Sequence, residues 1–65
     1  MAHFGDKLRE ERVKKKLTQQ DLAECVGCTQ TAIAKFETNA IAPNVYIAYK
    51  LAQKLEISLD EMMRA

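Results

Sequence analysis

The segment from Thr18 to Glu37, TQQDLAECVGCTQTAIAKFE, constrains the fold more than any other stretch of the chain. Thr18 is a strong helix N-cap, because its hydroxyl can accept a bond from an amide of the first turn. Asp21 stands at the position that completes an approximate capping box. Leu22, Ala23 and Val26 follow at helical spacing. Gly27 then falls where a chain leaving a helix turns sharply, often with positive φ. Thr29 can cap a second helix, whose Ile33 and Phe36 supply an inward face. The pattern is two short helices joined by a tight turn.

The flanking sequence is helical too. A first helix is expected from Phe4 to Lys15, with Phe4, Leu8 and Arg12 in one stripe and Val13 beside it. Leu17 should pack under the junction. The second helix opens at Thr18 and ends near Val26, and the third runs from Gln30 to about Glu37. The stretch TNAIAPN reads as a loop: Asn39 can take the left-handed conformation, Pro43 resists helix continuation and Ala42 before it is pushed towards extended geometry. Asn44 can cap a fourth helix carrying Val45, Ala48, Leu51, Ala52 and Leu55. Ser58 can cap a short last helix, with Glu61 completing its capping box and Leu59 and Met62 pointing inward. No segment alternates with the period of a strand. The expected fold is all-α, a compact five-helix bundle forming a single domain over residues 1–65. Glu56 sits where a helix end prefers Gly or Asn. Either the turn there avoids positive φ or Glu56 tolerates the strain.

Size and charge bound the function. A chain of 65 residues, 48% hydrophobic, can build one small core with little to spare. The net charge of +1 is weak for a ligand of polyanions, but its distribution is uneven. Arg12, Lys14, Lys15 and Lys16 form a dense run before the motif, and Lys35 lies on its second helix. Such a run alone is an ordinary solvated helix end. Beside a helix-turn-helix it becomes a candidate phosphate-facing patch. MAHFGDKLRE lacks the continuous apolar stretch of a signal peptide. No run approaches the ~18 apolar residues needed to span a membrane. A cytoplasmic protein is expected, with no membrane association.

Several segments in order carry a family likeness. They are Leu17 to Ala23 (LTQQDLA), Val26 to Ile33 (VGCTQTAI), Phe36 with Glu37, Pro43 with Asn44, and Lys50 to Met63 (KLAQKLEISLDEMM). Together they resemble the phage lambda and 434 repressor and Cro family of DNA-binding domains, over nearly the whole chain. The resemblance implies that the helix beginning at Gln30 enters the DNA major groove. It also implies that Gln30 contacts a base edge, with Thr31, Ala34 and Lys35 beside it. The residue pattern agrees: with Ile33 and Phe36 inward, positions 30, 31, 34 and 35 share the outward flank. Glutamine can bond bidentately to adenine N6 and N7, worth about 1–3 kcal/mol of discrimination. Thr31 suits a polar edge or a thymine methyl, Ala34 only a methyl, and Lys35 a guanine or a phosphate.

By the same resemblance Gln19, Thr29, Asn39 and Asn44 contact phosphates, although Thr29 and Asn44 are caps in their own right. Arg12 and Glu37 match a partly buried salt bridge that ties the first helix to the third. The chain departs from many relatives in having no Lys or Arg between Thr38 and Ala42, and in carrying Lys16 where they have Gly. Insertion of an arginine into the minor groove is therefore not expected from this loop. The implied function is that of a sequence-specific transcriptional regulator, a repressor binding double-stranded DNA at a palindromic operator as a homodimer. Its recognition helices would stand roughly 34 Å apart. Ile57, Met62 and Met63 are the candidate dimer interface, with core packing the alternative for Met63.

Cys25 and Cys28 form C-V-G-C, a spacing that invites a zinc or redox reading. Zinc wants four ligands, and only His3 is added. The plain reading is two small residues at a helix end. Two alternatives to the regulator remain: a protein-interaction module such as an antitoxin, and a thiol-responsive regulator using Cys25 and Cys28. No cofactor, metal, small-molecule ligand or catalytic constellation is expected.

Overall fold

A computed structural model describes residues 4–64. His3, weighed above as a zinc ligand, lies outside the described residues. Five helices follow in order: α1 (Phe4–Lys14), α2 (Gln19–Val26), α3 (Gln30–Glu37), α4 (Val45–Leu55) and α5 (Leu59–Arg64). The all-α five-helix architecture is the one expected.

One joint recurs along the chain. Each of the first four helices stops at a residue in the left-handed region: Lys16 (φ 59°), Gly27 (φ 79°), Asn39 (φ 64°) and Glu56 (φ 60°). The next amide then reaches back to close the turn. Leu17 N–H donates to Arg12 O (3.2 Å), Cys28 to Ala23 O (3.0 Å), Ala40 to Lys35 O (2.9 Å) and Ile57 to Ala52 O (3.1 Å). These bonds answer carbonyls that a helix end leaves open. Leu17, Cys28 and Ile57 each pack against the core, the hydrophobic contact that accompanies this motif. At those three joints a cap follows at once. Thr18 Oγ1 accepts from Asp21 N (2.9 Å), Thr29 Oγ1 from Ala32 N (3.1 Å) and Ser58 Oγ from Glu61 N (2.9 Å). A left-handed residue, an apolar residue and a Ser/Thr cap thus turn the chain in three residues.

The Thr18 box closes both ways, since Thr18 N–H also donates to Asp21 Oδ2 (3.0 Å). That backbone bond, with the hydroxyl, holds the Asp21 carboxyl below its ordinary range. Only half of the expected Ser58 box is seen. The Glu61 carboxylate pairs instead with Lys7 Nζ (3.6 Å), linking α5 to α1.

Leu8, Leu22, Val26, Ile33, Leu51, Leu55 and Met62 form the buried centre, with Ala23, Phe36 and Ala52 around them. One expectation is corrected here. Met62 is 0% exposed, so it takes the inward position expected for it and has no surface for the dimer interface to which it was also assigned. Val45, one of the apolar residues expected on α4, is 78% exposed. It is the first residue of α4, and the buried positions begin at Ala48. The left-handed Glu56 settles the question left open at that turn: the residue accepts the strain.

α1 has a cap drawn from far along the chain. Gly5 N–H donates to Asn39 Oδ1 (2.9 Å), from the loop after α3. The approach is close. A Cβ at Gly5 would lie 2.3 Å from Phe36 O and 2.6 Å from Glu37 O, both backbone atoms. Gly5→Ala should therefore destabilise the domain by about 1–3 kcal/mol, read as a lower urea midpoint with an unchanged m-value. Glu56→Gly should act oppositely. It removes a left-handed strain of about 1–2 kcal/mol, offset in part by the extra chain entropy of glycine. The ion pair that this change takes from Lys15 is 3.6 Å long with a mostly exposed carboxylate, and contributes little. The expected net gain is about 0.5–1 kcal/mol, a rise of roughly 2–8 °C in Tm.

Candidate nucleic-acid interface

Thr29 and Thr18 set the first residues of α3 and α2 at one end of the motif. There Gln30 Nε2 donates to Gln19 Oε1 (3.4 Å). Gln19 Nε2 donates in turn to Glu37 Oε1 (3.1 Å), at the far end of α3. Glu37 is also held by Arg12 from α1, through Nε to Oε2 (2.6 Å) and Nη2 to Oε1 (3.2 Å). Arg12 Nη1 donates to Leu17 O (2.7 Å) at the joint before α2. The Glu37 side chain is 4% exposed and that of Arg12 13%. A buried carboxylate persists when a bidentate guanidinium and further donors answer it. The sequence-expected salt bridge is thus present. It is extended by a glutamine pair that the sequence did not reveal.

The outward flank of α3 is as expected at three positions. Gln30, Thr31 and Lys35 are exposed, while Ile33 and Phe36 are buried. Ala34 is half-buried, so only part of its methyl is presented. Lys35 lies in the last turn of α3, where a cation suits the helix dipole. The following loop folds back over that turn, with Ala40 and Thr38 both bonding to Lys35 O.

The four phosphate candidates separate by occupation. Thr29 and Asn44 serve as N-caps, Asn44 Oδ1 accepting from Ile47 N (2.8 Å). Asn39 Oδ1 is engaged with Gly5. These bonds use the oxygens of both asparagines and leave their NH2 groups as the donors suited to a phosphate. Gln19 is half-buried and sits in the network just described.

Much of the basic run is neutralised within the domain. Arg12 is paired with Glu37, Lys14 with Glu10 (3.5 Å) and Glu11 (3.4 Å), and Lys15 with Glu56 (3.6 Å). Burial pushes the Glu11 carboxyl up, but bonds from Lys7 and Lys14 outweigh it and hold the group below its ordinary range.

The candidate dimer residues also separate: Met63 is 57% exposed, Ile57 half-buried against the core and Met62 enclosed. The outer face of α4 adds exposed Val45, Tyr46 and Tyr49, with Lys50 Nζ 4.8 Å from the centre of the Tyr46 ring. Cys25 is exposed and Cys28 partly buried, and burial raises the Cys28 thiol. Cys28 therefore already has a structural role, as the apolar residue of its joint. Among the described residues no group of three or more His, Cys, Asp or Glu could hold a metal ion. No described helix is long and apolar enough to cross a membrane.

Comparison with known proteins fits this geometry. The family model described as helix-turn-helix matches residues 8–62. The crystal structure of the P22 c2 repressor with synthetic operator 9T superposes with a TM-score of 0.96 at 28% identity, covering 98% of this chain and 97% of that one. YqaE of Bacillus subtilis, an HTH-type transcriptional regulator, is 31% identical over 94% of this chain and 53% of its own length. An HTH-type transcriptional regulator of Methanothermobacter thermautotrophicus is 38% identical over 74% of this chain and 70% of its own. The chain thus spans about half of YqaE and more of the archaeal relative. With its motif, its fold and these matches in agreement, the chain belongs to the helix-turn-helix family of lambda, 434 and P22 c2 repressor-like domains.

Proposed function

We propose that this chain binds operator DNA sequence-specifically as a homodimer, without catalysis, and acts as a transcriptional repressor. The observation that carries the reading is the exposed polar flank Gln30, Thr31 and Lys35 on a helix whose other side, Ile33 and Phe36, is locked into the core. Such a helix can enter a major groove as a rigid body. The P22 c2 repressor, of nearly the same shape, was crystallised on an operator. Gln30 and Thr31 read base edges, Ala34 can touch a thymine methyl, and Lys35 reaches a guanine or a phosphate. Gln19, Thr29, Asn39 and Asn44 approach the backbone. Dimerisation through Met63 and Ile57 places two recognition helices in successive major grooves and doubles the phosphate contacts of a nearly neutral domain. A palindromic site follows from that symmetry.

A second reading, a protein-interaction module, draws support from the exposed α4 face of Val45, Tyr46 and Tyr49. Selection from random duplexes at low salt separates the two. The regulator retains a common site, whereas retention of no duplex selects the interaction module. Gln30→Ala should then lose its preference at one base position per half-site, about 1–3 kcal/mol. Lys35→Ala should weaken binding and, if Lys35 meets a phosphate, reduce the salt slope by about one per protomer. Met63→Asp should leave the melting temperature nearly unchanged, because the residue is exposed. It should also abolish cooperative binding to the full palindrome in a titration, and unaltered dimeric binding would exclude Met63 from the interface.

A further inference from the structure

We propose that Lys16 is a phosphate contact of this domain, and that its strained backbone is kept for the charge it carries. The inference rests on the DNA-binding reading above and names the cation that serves it. Lys16 stands two residues beyond α1 with φ 59°. A residue with a Cβ is strained there, glycine is not, and asparagine is strained less. At two other joints Gly27 and Asn39 meet the same demand with residues suited to it. The turn itself does not require a lysine. Backbone atoms close it, Lys16 N–H donating to Val13 O (2.9 Å) and Leu17 N–H to Arg12 O (3.2 Å). The Lys16 side chain is exposed and, among the described residues, forms no ion pair. The dipole of α1 favours a cation only within its last turn, where Arg12 and Lys14 already stand. A strained residue that the fold does not require points to function.

Charge and place together identify that function. The rest of the basic run is neutralised, Arg12 by Glu37, Lys14 by Glu10 and Glu11, and Lys15 by Glu56. The residues proposed to approach the DNA backbone, Gln19, Thr29, Asn39 and Asn44, carry no charge. Affinity for DNA comes largely from cations that release counterions from phosphates, and a domain of net charge +1 has few of them. Lys16 is the cation of the run left to meet a phosphate. Its backbone is also held in place. Arg12 Nη1 donates to Leu17 O (2.7 Å), so the residue after Lys16 is tied to the Arg12–Glu37 pair. Gln19 follows two residues later and touches Gln30, the first residue of α3 (3.4 Å). Three peptide units separate Lys16 from Gln19, at most about 11 Å between their α-carbons. From there a four-carbon stem with a rotatable ammonium suits a point contact with phosphate.

The test measures binding of the full chain to its selected duplex between about 50 and 200 mM salt. It compares wild type, Lys16→Gly, Lys16→Arg and Lys54→Gln. Lys16→Gly removes one phosphate contact per protomer. For a dimer the slope of log affinity against log salt should fall by about 1.8, so the advantage of wild type should be about tenfold greater at the low salt than at the high. Base preferences within the site should stay as in wild type, because Lys16 reads no base. The same substitution relieves left-handed strain and should raise Tm by roughly 2–8 °C. A variant that is more stable yet binds more weakly is a result that a structural role for Lys16 does not give. Lys16→Arg keeps both charge and strain and should keep the salt slope. Lys54 is an exposed lysine in the last turn of α4, outside the proposed DNA surface, and Lys54→Gln should change the slope much less. An unchanged slope in Lys16→Gly, a change no larger than that of Lys54→Gln, or a lowered Tm overturns the proposal and leaves DNA binding intact. Failure of wild type to retain any duplex overturns the DNA-binding reading and this inference with it.

Discussion

The Glu37 carboxylate is the constraint around which this domain is arranged. It sits at the last residue of α3 with its side chain 4% exposed. An uncompensated charge so enclosed would cost several kcal/mol, a large share of the stability of a small domain. The compensation comes from elsewhere: Arg12 on α1 and Gln19 on α2. Satisfying one carboxylate therefore fixes three helices relative to one another, and it does so with directional bonds. Arg12 adds a bond to Leu17 O, tying the same cluster to the joint where α2 begins. Hydrophobic burial holds the bundle together, but it is non-directional. The ion pair and its glutamine neighbour supply the orientation that leaves Gln30, Thr31 and Lys35 facing outward.

The second principle is the repeated joint. A small chain cannot devote many residues to loops and still bury a core. At Lys16-Leu17-Thr18, Gly27-Cys28-Thr29 and Glu56-Ile57-Ser58 the chain stops one helix, inserts an apolar residue and caps the next. The exception is informative. After Asn39 the loop is longer, and the Asn39 side chain crosses to cap α1 at Gly5. The loop that brings α4 into place thus also anchors the start of α1 against the end of α3.

The parts of this arrangement that were legible in the sequence are those with local chemistry. Thr18, Thr29, Asn44 and Ser58 announce helix starts because a short polar side chain bonds its own first turn. Gly27 and Asn39 announce left-handed stops because they adopt that conformation with least strain. Lys16 and Glu56 occupy the same conformation without any such preference, so only their positions hinted at it. The outward flank of α3 followed from periodicity. Met62 carried two readings, an inward position from its place in the last helix and a share of the dimer interface, and its burial decides for the first. Val45 is apolar yet exposed, because a side chain on the first turn of a helix can lie beyond the reach of the core. The bonds from Gln19 to Glu37 and to Gln30 were invisible, since they join residues 18 and 11 positions apart that only the tertiary fold brings together.

Function then depends on a surface held rigid from behind. The polar flank of α3 presents few groups, and the domain has little net charge with which to attract DNA. In the proposed reading, specificity comes from the placement of those groups more than from bulk electrostatics. The most direct measurement is a 15N–1H NMR titration of the labelled chain with its selected duplex. Perturbation and slowed side-chain exchange should centre on Gln19, Gln30, Thr31 and Lys35, with the α4 residues Tyr46 and Tyr49 affected less. Perturbation centred on Tyr46 and Tyr49 with the α3 flank unmoved would contradict the account.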